Sequence, residues 1–439
     1  MEDDNRHDKD KAANPGIFPA GEPGQSDRRL EELSVDFPVS VVLPAGGTGE
    51  RTGLTTPKQF CSLSGRPLIS YTIQAFERVS WIQSVVVVVA KESMDLMADF
   101  IQRFQHRKVR VVPGGTTRHR SIWNGILALG EVEGFLPNSV RPKVVIIHDA
   151  VRPFVEEDFL IKIARAAKEH GAAGAIRPLV STVIATTSEG FLDHSLERAK
   201  YRASEMPQGF TYDIICQAYQ RSSEYDFDFG TECLHLALQY CGTSAKLIEG
   251  PPSLWKVTYK RDLAAAESIV KDALSKSTCV VTGGSAAAES FAGDLQKTTE
   301  LNMEVHVVPD LNRDNSSKVL KEFNFILVSV NSFDLSALKS TLKDLEASNQ
   351  AVLHPLVVIW VYLTTSDEPS CISRTTAEVK AFTDVASEAK LRNTLIYGLQ
   401  LPRTQDSECW RRSVLKFAEI TSALVRERSF ALVGQLLQV

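Results

Sequence analysis

Three short segments hold residues whose types and spacing suit phosphate chemistry. The first is Leu43-Pro44-Ala45-Gly46-Gly47-Thr48-Gly49-Glu50-Arg51, followed shortly by Pro57-Lys58-Gln59-Phe60. Glycines let backbone N–H groups close around phosphate oxygens, while Arg51 and Lys58 add fixed positive charge. The spacing matches neither common phosphate loop. A Walker A motif needs Gly-Lys-Ser/Thr after four spacers, and the dinucleotide fingerprint needs a glycine where Thr52 stands. The second segment, Gly114-Gly115-Thr116-Thr117-Arg118-His119-Arg120-Ser121, follows an apolar run and opens a helical one. Its backbone donors suit an anionic or carbonyl-bearing ligand; a plain strand–turn–helix connection is the other reading. The third is His148-Asp149-Ala150-Val151-Arg152-Pro153. An acidic side chain at a strand end suits Mg²⁺ shared with triphosphate oxygens, since that ion takes only one or two protein carboxylates. A helix N-cap for the segment after Pro153 is the alternative for Asp149. Lys256, in Trp255-Lys256-Val257-Thr258, says little alone.

The elements that must position these groups follow from an alternation of β-branched runs with helical stretches between about 38 and 270. The pattern predicts strands at Val39–Pro44, Ser84–Ala90, Val109–Pro113, Val144–His148, Gly174–Pro178 and Lys246–Glu249. It predicts helices at Leu68–Phe76, Ser93–Phe104, Arg118–Leu129, Glu156–His170, Tyr212–Arg221 and Asp262–Leu274. Such alternation implies an α/β fold with a mostly parallel sheet. Ligands of these sheets bind beyond the carboxyl ends of the strands, so the three segments converge on one edge. The pattern restarts near 277, with strands expected at Thr278–Thr282, Val305–Val308, Phe325–Val330, Val357–Tyr362 and Leu395–Gly398. The division expected is therefore 1–36 as a tail, 37–275 as one α/β domain and 276–439 as a second.

Composition narrows the class. A net charge of −5 argues against a general nucleic-acid binder, and 43% apolar with 23% charged residues is ordinary for a soluble protein. The tail alternates charge and then repeats Pro and Gly, a composition that cannot offset its ordering entropy. It has no apolar core of a signal peptide and is too acidic for a transit peptide. The longest apolar run, Val85 to Ala90, suits a buried strand, so a cytosolic protein without a membrane partner is expected. Seven scattered cysteines without a C-x-x-C pair are expected to be reduced thiols.

In order along the chain, the motifs at 43–51, 57–59, 114–121, 148–153, 207–210 and 256–258 resemble those of the methylerythritol-phosphate cytidylyltransferase family and its polyol-phosphate relatives. The resemblance spans roughly 38–270. It implies a Rossmann-like nucleotidyltransferase domain that moves a cytidylyl group from CTP to a sugar-alcohol phosphate, with release of pyrophosphate. By matching motif positions, Arg51, Lys58 and Lys256 would surround the α-phosphate and the leaving pyrophosphate, and Asp149 would anchor Mg²⁺. Ala45, Gly46, Gly115, Thr116, Ser121 and Ala150 fall where the family holds cytidine, with Gly47, Gly49 and Arg118 in the same nucleotide-binding motifs. The acceptor side would use Asp149 and Arg152, with Thr182 and Arg198 carried on an arm at about 180–206 into the partner's site. That implies a homodimer. Departures at Ile184, Met206, Leu254-Trp255 and Thr116 weaken methylerythritol phosphate as the acceptor and are compatible with a linear pentitol phosphate. With the second domain included, the resemblance implies ribitol 5-phosphate, methylerythritol phosphate or another pentose or pentitol phosphate being the alternative. CDP-ribitol for the O-mannosyl glycan of α-dystroglycan would be the product. The second domain resembles a worn short-chain dehydrogenase: Ala287 and Glu289 replace two glycines of its turn, and Thr376 stands before Lys380 where tyrosine belongs. A structural or dimer-supporting role is expected of it, an NADPH-dependent reductase being the alternative.

Overall fold

The computed structural model describes residues 34–47, 53–131, 140–311, 322–333, 335–347, 354–364 and 376–439. The chain begins with β1 (Val39–Pro44), a short hairpin of β2 (Ser62–Leu63) and β3 (Arg66–Pro67), α1 (Leu68–Glu77), β4 (Ile82–Val89), α2 (Met94–Arg103), β5 (Val109–Pro113) and α3 (Arg118–Gly130). β6 (Val144–Ile147), α4 (Glu157–His170) and β7 (Ala172–Pro178) follow. A projecting hairpin of β8 (Ile184–Thr186) and β9 (Leu192–Ser195) leads to β10 (Arg202–Thr211). α5 (Tyr212–Arg221), α6 (Glu224–Phe229), α7 (Cys233–Cys241), β11 (Lys246–Glu249) and α8 (Lys260–Leu274) complete this half.

These strands form a seven-stranded sheet in the order β11-β7-β10-β6-β1-β4-β5. It is mostly parallel, as the alternation predicts; β10 alone runs against both neighbours. β1 and β4 read as near-continuous valine runs because helices cover both faces. Val39, Val41 and Leu43 pack with Ile73, Phe76 and Ile163 on one face, and Val42, Val86 and Val88 pack with Ile122 and Ile126 on the other. Gly125 lets α3 lie against the sheet, since a Cβ there would come within 2.5 Å of Val42 Cγ1.

The second half holds β12 (Ser277–Val281), α9 (Ala286–Gln296), β13 (Glu304–Val308), β14 (Asn324–Val330), α10 (Leu335–Ala347), β15 (Leu356–Thr364), α11 (Thr376–Leu391), β16 (Thr394–Pro402), α12 (Ser407–Glu427) and β17 (Leu436–Gln438). Its six strands, ordered β13-β12-β14-β15-β16-β17, are all parallel. Every residue of the central β15 is buried. Among the described residues no helix is long and apolar enough to cross a membrane, and six cysteines are free thiols.

Besides the short hairpins β2–β3 and β8–β9, three features depart from the sequence expectation. β10 is a ten-residue strand where none was predicted, α6 and α7 occupy a stretch left without helices, and β17 adds a sixth strand to the second sheet.

Candidate active site

Each parallel strand of the first sheet delivers a loop to one edge. β1 ends at Pro44, and its Ala45 N–H donates to Val88 O at 2.7 Å, so the glycine loop leaves the sheet beside the end of β4. Gln59, 3% exposed, holds that loop from below: its Nε2 donates to Ala45 O at 2.7 Å and Gly47 O at 2.8 Å. The same short turn presents Lys58. β5 ends at Pro113, and Gly114 N–H donates to Val89 O at 2.7 Å. Thr117 caps α3 by accepting from Arg120 N–H at 3.3 Å. Gly115 has no room for a side chain, since a Cβ would come within 2.4 Å of Arg120 Cβ; its N–H donates to Ser121 Oγ at 3.2 Å. β6 ends at Ile147 and delivers His148 through Arg152, with Thr72 of α1 donating to Ala150 O at 2.9 Å.

These loops enclose a cavity of about 530 Å³. Ala45, Gly46, Gly47, Lys58 and Gln59 line one side; Gly115, Thr116, Thr117, Arg118 and Ser121 line another; Asp149, Ala150, Val151 and Lys256 close it. The structure thus brings Lys58 and Lys256 to one space. Arg51 and Gly49 lie outside the described residues. Arg152 is buried, Thr182 and Arg198 are exposed on the projecting arm, and none of the three lines the cavity.

Asp149 is the electrostatic centre. Its Oδ2 accepts from Arg152 Nε at 2.9 Å and meets Lys256 Nζ at 3.1 Å, while its Oδ1 faces Arg118 Nη2 at 3.4 Å. It caps no helix; Glu156 occupies the N-cap of α4. Burial alone would raise its pKa, but Lys256, Arg118 and Arg152 overcome that and hold the carboxyl well below the usual range. Arg152 is fixed in turn by Glu205, which pairs with its Nη1, and by the carbonyl of Leu254. His148 is fully buried and neutral: burial pushes it down to about 4, and its Nε2–H donates to Arg152 O at 2.9 Å.

Sequence reasoning missed Glu205, and gave Gln59 no role although it stands inside the Pro57-Lys58-Gln59 segment. A buried amide directly after a site lysine is a usable signal for Gln59. Glu205 had none, because its partner is 53 residues away and is reached only through the reversed course of β10.

The arrangement is a cationic cavity lined by backbone amides and a single ionised carboxylate, suited to a polyphosphate. Residues 39–272 match the family model described as 2-C-methyl-D-erythritol 4-phosphate cytidylyltransferase, and residues 276–418 match that described as D-ribitol-5-phosphate cytidylyltransferase C-terminal domain. The chain is 49% identical over 403 residues to the D-ribitol-5-phosphate cytidylyltransferase of Xenopus tropicalis, covering 91% of this chain and 97% of that protein. The Homo sapiens protein of the same name is 48% identical over 407 residues, 91% of this chain and 89% of its own. The 2-C-methyl-D-erythritol 4-phosphate cytidylyltransferase of Pelotomaculum thermopropionicum is 33% identical over 235 residues, 53% of this chain and 94% of its own. The family match extends over a little more than half the chain and contains every residue that lines the cavity. The chain therefore belongs to the 2-C-methyl-D-erythritol 4-phosphate cytidylyltransferase family and is a nucleotidyltransferase.

Proposed function

We propose that the chain transfers CMP from CTP to D-ribitol 5-phosphate, giving CDP-ribitol, a donor for protein glycosylation, and pyrophosphate. The observation that carries this reading is the convergence of Lys58, Lys256 and Arg118 on one cavity bounded by the 45–47 loop and the 115–121 turn. An oxygen of the acceptor phosphate attacks the α-phosphorus in line, and the bond to the bridging oxygen of pyrophosphate breaks. Charge builds on the equatorial oxygens and the leaving group, so fixed cations aimed there lower the barrier without a covalent intermediate. One such pair at about 4 Å and an effective dielectric of about 20 interacts by roughly 4 kcal/mol.

Among the described residues no group of three or more His, Cys, Asp or Glu could hold a metal. A hard divalent ion that takes one carboxylate from protein and the rest from phosphates and water fits the single ionised Asp149. Asp149 would hold Mg²⁺ here while sharing its oxygens with Arg152, Lys256 and Arg118, and the ion would neutralise triphosphate charge. Chelating divalent cations is expected to abolish pyrophosphate release, and added Mg²⁺ to restore it.

The arm supports a homodimer. Val180, Phe191 and Leu192 are 89%, 68% and 65% exposed, an apolar surface that a second copy would cover. Thr182 and Arg198 would then complete the acceptor site of the partner. Free thiols fit a reducing cytosol. The deciding experiment measures pyrophosphate release from CTP with ribitol 5-phosphate and with methylerythritol 4-phosphate at equal concentrations. Ribitol 5-phosphate is expected to be strongly preferred; preference for the other acceptor overturns the assignment.

A further inference from the structure

One helix links the loop that carries Lys256 to the second domain. α8 follows Lys256 directly: Asp262 Oδ2 accepts from the N–H groups of Thr258 and Tyr259, each at 2.8 Å, tying the lysine loop to the helix start. At the far end, the last carbonyls of a helix lack partners of their own. The carbonyl of Leu274 accepts from Asn324 Nδ2 at 2.7 Å and from Arg428 Nη2 at 3.3 Å, both donors belonging to the second domain. Asn324 also donates to Ser277 O at 2.8 Å and accepts from Arg428 Nη2 at 2.8 Å. The two side chains are 1% and 4% exposed, so the grip on the end of α8 is dry; of the Arg428 guanidinium only Nε lacks a hydrogen-bond partner.

A continuous apolar cluster runs from this grip to the back of the cavity. Tyr71 of α1 and Val270 and Leu274 of α8 pack with Val151 and Val257, and Phe323 of the second domain packs against them. The His354 ring lies 5.6 Å from that of Tyr71 and 5.1 Å from that of Phe323, filling the seam. Val257 adjoins Lys256, Val151 lies between Ala150 and Arg152, and Val257 N–H donates to Val151 O at 3.0 Å. Close-packed interiors transmit displacement, so what seats Phe323 and Arg428 also seats these two valines.

From this we infer that the second domain is a positioning element of the transferase site, acting through Phe323, Asn324 and Arg428 on α8 and so on Lys256. The inference rests on the reading of Lys256 as a catalytic cation. It gives the second domain a part in the reaction that requires no ligand of its own.

A double-mutant cycle in the full-length protein tests it. Phe323→Ala and Arg428→Met are each expected to lower kcat about tenfold, as small misplacements of a positioned group do. The KM for CTP should stay within about twofold, because lysine placement matters most where transition-state charge develops. Repeated in a Lys256→Ala background, the same substitutions should change kcat by less than about twofold, since the group they position is gone. Equal effects in both backgrounds, or unchanged kcat with Lys256 present, overturn the inference. If Lys256→Ala alone leaves kcat intact, the catalytic reading of Lys256 fails first and this one with it. Should Arg428→Met not fold, Phe323→Ala decides alone.

Discussion

Within the site, charges are shared between partners. Asp149 and Glu205 face Arg118, Arg152 and Lys256, and Lys58 adds a further cation to the cavity lining. The excess is positive, which a triphosphate needs, yet most of these cations are already held by a carboxylate and keep their geometry before the ligand arrives. Preorganisation of that kind makes a fixed cation worth more in catalysis than in ground-state binding. Lys58 lines the same cavity, and Lys58→Ala is expected to lower kcat by about 10²–10³-fold, as loss of a donor to transition-state charge does, while the far-UV circular dichroism stays unchanged. A near-normal rate in a steady-state pyrophosphate assay would contradict its role. Gln59→Ala removes both donors beneath the glycine loop, leaves two carbonyls without them, and should destabilise by about 1–3 kcal/mol. Because the loosened segment faces the nucleotide, the KM for CTP should rise more than kcat falls, which steady-state titration of CTP would show.

Among the elements, the reversed strand β10 does what no parallel strand can. It returns from the arm toward the sheet, so Glu205 near its start comes to the edge where the parallel strands end, and Gln208 pairs with Ile147 beside Asp149. The arm and Glu205 thus lie on one continuous segment. Arg198→Ala is expected to raise the KM for the acceptor severalfold more than the KM for CTP. A mixed dimer of Arg198→Ala and Lys58→Ala chains should regain part of the activity that either homodimer lacks, because one of its two sites would be intact. Mixing that restores nothing would mean that the arm serves its own chain. This strand was also the least legible part of the sequence. Valine runs such as Val85–Val89 declare a buried parallel strand by themselves. Arg202–Thr211 mixes charge, Pro207 and Gly209, residues that read as a loop, and only pairing on both sides makes it a strand. The same physics divides the site. The glycine loop, the 114–121 turn and Asp149 are local signals at strand ends, whereas the Arg152–Glu205 pair and the Leu274–Arg428 bond exist only through tertiary return of the chain.

For the molecule as a whole, one buried and one half-buried histidine set a pH dependence. Burial first, then the Arg118 guanidinium, pushes His119 down to about 4. Burial first, then Arg66 and Arg428, pushes His354 down to about 3. Unfolded, both groups titrate near 6.5, so below that pH the unfolded chain binds protons that the folded one refuses. Stability should therefore fall as pH drops from about 6.5, by up to about 1.4 kcal/mol per pH unit for each histidine, until the folded values are reached. Thermal melting between pH 7 and pH 5 would show it, and His354→Phe should flatten the slope; a melting temperature independent of pH would contradict this account. The grip on Leu274 and Ser277 has a further consequence, for attack by enzymes that cut chains. An endopeptidase needs several residues drawn out as a free strand in its cleft, and the junction at 275–276 is pinned on both sides by bonded carbonyls. Limited digestion should spare that junction until the whole chain melts, so the halves are not released as separate working fragments.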